Sequence, residues 1–128
     1  VVFRTRCRVA GVPARWHAGC DANPRDVGFQ DWAQFYIEPY GWLYADCSFG
    51  GGAYRDDVKG RREFYFGNLD PFRIPMNSEF GWEFTPPMKR PGSDPYDNQT
   101  GEAEYGDRAL IRDELDTAHE IIEIREIE

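Results

Sequence analysis

The side chains of this 128-residue chain that could do chemistry are three cysteines, two histidines and a few acids set among aromatic rings. A thiolate can attack a carbonyl carbon, an imidazole can carry its proton, and a carboxylate can orient the imidazole. Cys7, Cys20 and Cys47 are an odd count with no CxxC spacing, so neither a disulfide framework nor a zinc site is indicated. His17 and His119 form no HxxxH pair, and no metal or other cofactor is expected. The densest stretch is GFQDWAQFYIEPYGWLYADCSFGG, residues 28–51. It gathers Trp32, Tyr36, Tyr40, Trp42 and Tyr44 around Gln30, Asp31 and Asp46, and shows no obvious cation beside the acids. By residue type alone it is either an aromatic core or the wall of a site.

The elements that would position these residues follow from periodicity. Val2, Phe3, Cys7 and Ala10 have helical spacing, Gly11 supplies a stop, and Pro13 confirms it. Residues 14–20 read as a strand and 21–28 as a polar loop. Residues 31–37 alternate, 38–41 (Glu-Pro-Tyr-Gly) form a turn, and 42–45 return, which predicts a β-hairpin. Residues 48–53, SFGGGA, read as a flexible glycine loop, and 55–63 as a solvated stretch able to begin a short helix. Residues 64–66 and 72–74 read as strands around a turn at 67–70, with a further short strand at 82–84. Residues 85–100 carry four Pro and exclude regular structure, and 102–105 fit a strand. In the tail, Ile122 and Ile124 alternate with charged residues and favour a strand over 119–127, while Ile121, Ile124 and Ile127 would also fit a helical stripe. The class is α+β, an N-terminal helix followed by an antiparallel sheet.

Composition narrows the partners. The length fits one domain, and an aromatic share of 16% argues for a folded chain despite the polar average. A net charge of −8 argues against nucleic acid, because phosphate binding needs a cationic face. The acidic excess lies mostly after residue 93 and reads as solvated surface. No apolar run reaches membrane-spanning length. No signal peptide is visible, and the opening Val-Val-Phe reads as entry into the middle of an element. The compartment and the oligomeric state stay open.

Three blocks carry a family resemblance. CRVAGVPARW (7–16), QDWAQFYIEPYGWLYADCSFGG (30–51) and FYFGNLDPFRI (64–74), in this order, resemble the transglutaminase-like superfamily of microbial, papain-like thiol enzymes. The resemblance covers about residues 2–85. It implies the C-terminal part of a papain-like domain: a core over 1–85, with 86–128 a Pro-rich loop and acidic extension of the same domain. It also implies a Cys-His-Asp triad. The family's Cys opens the helix that ends at G-[IV]-P-A-R, its His opens an H-x-W motif, and its Asp opens a D-x-[ST] motif.

Asp46 matches the family's Asp, and Gln30 stands where the family has His. The nucleophilic Cys would lie about one helical turn before Val1, so it is not in the chain. Cys7 is no substitute: near the helix C-terminus the dipole disfavours a thiolate, and a small buried hydrophobe is the expectation. His17 is expected as a core or surface-strand residue, Asp31 as a strand neighbour, and Cys47 as a buried, inert thiol. Trp16, Trp32, Tyr40 and Trp42 are expected to wall a substrate cleft. The family chemistry is attack on a Gln carboxamide or a peptide bond, with transfer to water or an amine and a peptide or protein as substrate. With Gln30 in place the chain by itself is expected to be inactive, since an amide exchanges no proton near neutrality. The alternative is a non-catalytic module binding a peptide or a cell-envelope component.

Overall fold

A computed structural model describes residues 2–55, 58–81, 83–90 and 102–127. Helix α1 (Val2–Val9) opens the fold. It stops where the glycine predicts: Gly11 takes φ +77, its N–H bonds the Arg8 carbonyl at 3.1 Å, and the Val12 N–H bonds the Cys7 carbonyl at 2.8 Å. This paired closure satisfies carbonyls that the helix end would otherwise orphan, and it needs a left-handed residue. Arg8 then donates from Nε and Nη2 to the Ala14 carbonyl, tying the helix end to the first strand.

Strands β1 (Ala14–Asp21), β2 (Gly28–Ile37) and β3 (Gly41–Ala45) form an antiparallel meander. β4 (Phe66–Gly67) adds to β3 and β5 (Arg73–Asn77) adds to β1, giving the order β4-β3-β2-β1-β5. The register Ala14↔Phe35 and Ala33↔Ala45 fixes which side chains share a face. The first face carries Ala14, Phe35 and Ala45, with Phe3 and Cys7 of α1 packed on them. Phe35 stacks on Phe66 at 5.2 Å, and Phe3 meets both rings edge-on. The second face carries His17, Gln30, Trp32 and Tyr44 by the same alternation.

Helices α2 (Cys47–Arg55) and α3 (Lys59–Phe64) bring Phe49 and Tyr65 over one end of the second face. The expected glycine loop at 48–53 is therefore helix. Asp46 explains the correction: its Oδ1 accepts from the Ser48 and Phe49 N–H groups, each at 2.9 Å, and caps the helix. Phe49 then packs on Tyr65 at 5.4 Å. Capping and burial together overcome the glycines' low helix propensity, about 1 kcal/mol each relative to Ala.

Other boundaries moved. Phe64, expected in a strand, ends α3, and β5 begins at Arg73 and runs past Ile74. Glu83 and Phe84 form no strand, and Trp82 lies outside the described residues. Residues 85–90 have no regular structure, as their prolines require, and 91–100 lie outside the described residues. β6 (Ala103–Tyr105) meets its expectation and pairs with β7 (Arg108–Leu110), a strand too short to show periodicity. A 3-10 turn follows at Arg112–Glu114. The tail 119–127 is neither strand nor helix: Ile122 is 94% and Ile127 96% exposed. Alternation makes a strand only where a neighbouring strand receives its hydrogen bonds, and among the described residues no ladder reaches the tail.

Candidate functional site

Asp46 follows β3 directly and is 1% exposed. Besides capping α2, its Oδ1 lies 3.4 Å from Gln30 Nε2, which donates to it. The same amide donates to the Asp31 carbonyl at 3.2 Å. β2 and β3 are antiparallel neighbours, so the start of one meets the end of the other, and Gln30 and Asp46 come together there. The structure thus joins the two residues that the sequence pairs.

It also joins a residue that the sequence reading missed. Arg73, at the start of β5, puts Nη1 3.1 Å from Asp46 Oδ2. Its Nε bonds Asp70 Oδ2 at 3.1 Å, and its Nη2 lies 3.8 Å from Asp21 Oδ2. The Arg73 side chain is 2% exposed. Its guanidinium sits 4.2 Å over the Phe49 ring and 5.8 Å from that of Trp32. One cation therefore serves three carboxylates inside an aromatic cage. The Asp46–Arg73 contact is close but off the hydrogen-bonding axis, so neither Asp46 Oδ2 nor the two Arg73 Nη atoms has a hydrogen-bond partner, and the attraction is coulombic. Asp70 also accepts from the Tyr65 hydroxyl at 2.9 Å and the Phe72 N–H at 3.0 Å. No local signal marks Arg73, because the contact depends on β5 pairing with β1 opposite Asp21.

The electrostatics separate the acids. Burial raises the Asp46 carboxyl above its ordinary value, outweighing the Phe49 N–H bond, Arg73, the Ser48 N–H bond and Gln30, which all lower it. For Asp70, burial also pushes upward, but the Tyr65 hydroxyl, the Phe72 N–H and Arg73 together bring it below its ordinary value. Burial lowers Arg73 while Asp46, Asp70 and Asp21 raise it, and the carboxylates prevail. Arg73 stays charged throughout the physiological range.

The other candidates do not form one cleft. Trp32, 3% exposed, lies on the second face beside the cluster. Trp16 is on the first face, where its Nε1 donates to Asp31 Oδ1 at 3.2 Å and its ring meets Phe80 edge-on. Tyr40 sits in the β2–β3 turn, 74% exposed, and Trp42 lies under the Arg15 guanidinium at 4.2 Å. His17 is half-buried opposite Trp32, and burial, then Arg15, lowers its imidazole. Its Nδ1 is buried without a partner. Cys7 is half-buried against the first-face core, as expected. Cys47 is exposed, contrary to expectation, because it begins a helix whose packing face starts at Phe49. Its thiol is nonetheless raised, by partial desolvation and then by Asp46 beside it.

At the Gln30 position the arrangement can hold and orient, and the amide there carries no proton exchangeable near neutrality. Gln30 donates to Asp46 as an imidazole N–H would, yet it has no nitrogen that titrates near neutrality. Among the described residues no group of three or more His, Cys, Asp or Glu side chains could hold a metal, and no helix is long and apolar enough to cross a membrane. No curated protein and no solved structure matches the chain. Residues 1–47 match the model of the transglutaminase-like superfamily, and α1, the β1–β3 meander and the Gln30–Asp46 pair all lie within the matched residues.

Proposed function

We propose that this chain is part of a transglutaminase-like, papain-like domain that keeps the family's site architecture and does not itself perform acyl transfer. The observation that carries the reading is the Gln30 Nε2–Asp46 Oδ1 contact of 3.4 Å. In the family chemistry a thiolate attacks a carboxamide or peptide carbonyl, and an imidazole held by a carboxylate returns the proton to the leaving amine. Here the carboxylate is in place, and a neutral amide occupies the position of the base. The carboxylate's cationic partner is Arg73, which never gives up its proton. We take residues 1–85 as the core and 86–128 as an extension of the same domain. That assignment is supported by the Phe29–His119 ring contact at 4.8 Å, which joins the two segments.

The test is hydroxamate formation from a capped glutaminyl peptide and hydroxylamine, with ammonia release read in parallel. No turnover above buffer is expected, and turnover would overturn the reading. Thiol alkylation adds a second readout. Cys47, with its raised thiol, is expected to react slowly near pH 6, and rapid selective alkylation there would contradict the proposal. Gln30→His checks the geometry itself. An imidazole at position 30 is expected to meet Asp46 and titrate above its ordinary pKa of about 6.5, followed by NMR.

A second reading has its own support. A cavity on the second face, lined by polar groups outside the Gln30–Asp46 contact, favours a binding module over a mere remnant of an enzyme.

A further inference from the structure

Helix α1 turns Phe3 and Cys7 toward the sheet and leaves its opposite side open among the described residues. Val2, Thr5 and Val9 share that side by helical spacing, and Val2 is 67% and Val9 86% exposed. Arg6 borders this stripe on one flank and Arg8 on the other, and α1 contains no acidic residue. The Arg8 side chain bonds a carbonyl, the Arg6 side chain bonds nothing, and no carboxylate among the described residues neutralises either. An apolar stripe between two such cations fits an apolar segment with acids at its sides.

The chain's own tail has that pattern. Glu123 Oε1 and Arg125 Nε meet at 2.7 Å, so these neighbours lie on one face of an extended segment and neutralise each other. The other face carries Glu120, Ile122, Ile124 and Glu126. Ile122 is almost fully exposed, Ile124 is more than half exposed, and neither glutamate has an ion-pair partner among the described residues. Acid, two isoleucines, acid along the tail matches arginine, valine stripe, arginine across α1.

The tail cannot lay this face on its own α1. His119 is held against Phe29 at 4.8 Å, while α1 packs on Phe35 through Phe3 at 5.8 Å. Phe29 and Phe35 lie about 20 Å apart along β2. Ile122, in the third position after His119, reaches no more than about 11 Å from it. The outer side of α1 is farther still. A second copy has no such limit, and it presents the same two surfaces, so each tail can dock on the other copy's helix.

We propose that Glu120, Ile122, Ile124 and Glu126 of one copy dock on the outer face of α1 in a second copy, and that reciprocal docking forms a two-fold dimer. The test is sedimentation equilibrium of the whole chain together with amide chemical shifts over a dilution series. A monomer–dimer equilibrium is expected, with Kd on the order of 100 μM for so small a contact. Salt screens the charge pairs, so raising NaCl from about 0.05 M to about 0.5 M is expected to weaken the dimer several-fold. Arg6→Gln and the double variant Glu120→Gln/Glu126→Gln act on opposite sides of the contact, and each is expected to weaken it by about fivefold. Combined, they should cost less than the product of the two effects, because both remove the same pairing. All three side chains are on the surface, and circular dichroism verifies that each variant is folded. Dilution-dependent shifts are expected in Val2–Val9 and in residues 120–126. A monomer at every concentration, a dimer that the variants leave unchanged, or shifts confined to other surfaces overturns the proposal. If removing residues 119–128 shifts α1 amides in a chain that stays monomeric, the tail covers its own helix, and the second copy is excluded. None of these readouts depends on turnover, so the dimer and the functional reading fail separately.

Discussion

Asp46 does two jobs at once. It is the acid that the proposed reading assigns to the transglutaminase-like pattern, and it caps α2 with two backbone hydrogen bonds. Its cation comes from Arg73, whose loss would leave three carboxylates facing one another. Arg73→Met is therefore expected to destabilise the fold by about 3–5 kcal/mol, the usual result of breaking a buried ion pair from one side. Urea denaturation checks it, and a change below about 1 kcal/mol would show that the cluster is not a structural centre. The acids also carry opposite pH signatures. Asp70, lowered in the folded state, contributes stability above its ordinary value of 3.8 that is lost as pH falls through the lowered one. Asp70→Asn is thus expected to cost most near neutrality, with the difference from wild type shrinking in acid. Asp46 is raised, so its contribution is present below 3.8 and lost as pH rises through the raised value, and Asp46→Asn should show the reverse slope. Denaturation midpoints of both variants across the acid range separate the two slopes.

At the scale of elements, the site depends on how closely β5 lies against β1. Gly19 pairs with Pro75 at a register shift, and a Cβ there would overlap the Ile74 carbonyl oxygen. The obstacle is backbone, so rotamer change cannot relieve it. Gly19→Ala is expected to push β5 outward and loosen Arg73 from Asp46. Amide exchange should then rise in Arg73–Asn77 while β2 and β3 keep their protection, and unchanged β5 protection would refute the argument. The α2 segment teaches a related point. Its glycines predict a loop, and the carboxylate before them, with Phe49 buried after them, decides for helix.

For the whole molecule, the sheet is covered differently on its two faces. α1 lies on the first with an apolar core, and α2 and α3 cover part of the second with a charged cluster inside an aromatic cage. The tail adds little: Ile122 and Ile127 are almost fully exposed. Replacing both by Ser is expected to change stability by no more than about 0.5 kcal/mol, as is usual for surface substitutions. A larger loss in thermal unfolding would mean that the tail packs in solution.

The sequence by itself determined what local chemistry dictates. Gly11 ended α1 because a left-handed residue closes the helix. The alternation in 31–37 and the turn after it made the hairpin, and the hairpin's geometry brings Gln30 to Asp46. The order of motif blocks pointed to the transglutaminase-like superfamily, whose model matches residues 1–47. Only the tertiary structure decided what distant segments do to one another. Trp16 and Trp32 look alike as aromatic neighbours of acids, yet the register puts them on opposite faces. Arg73 is an ordinary basic residue in the chain and the counter-ion of Asp46 in the fold, because long-range strand pairing carries no signal in local composition. The tail has the alternation of a strand and remains unpaired, since a strand is completed by its neighbour and not by its own residues.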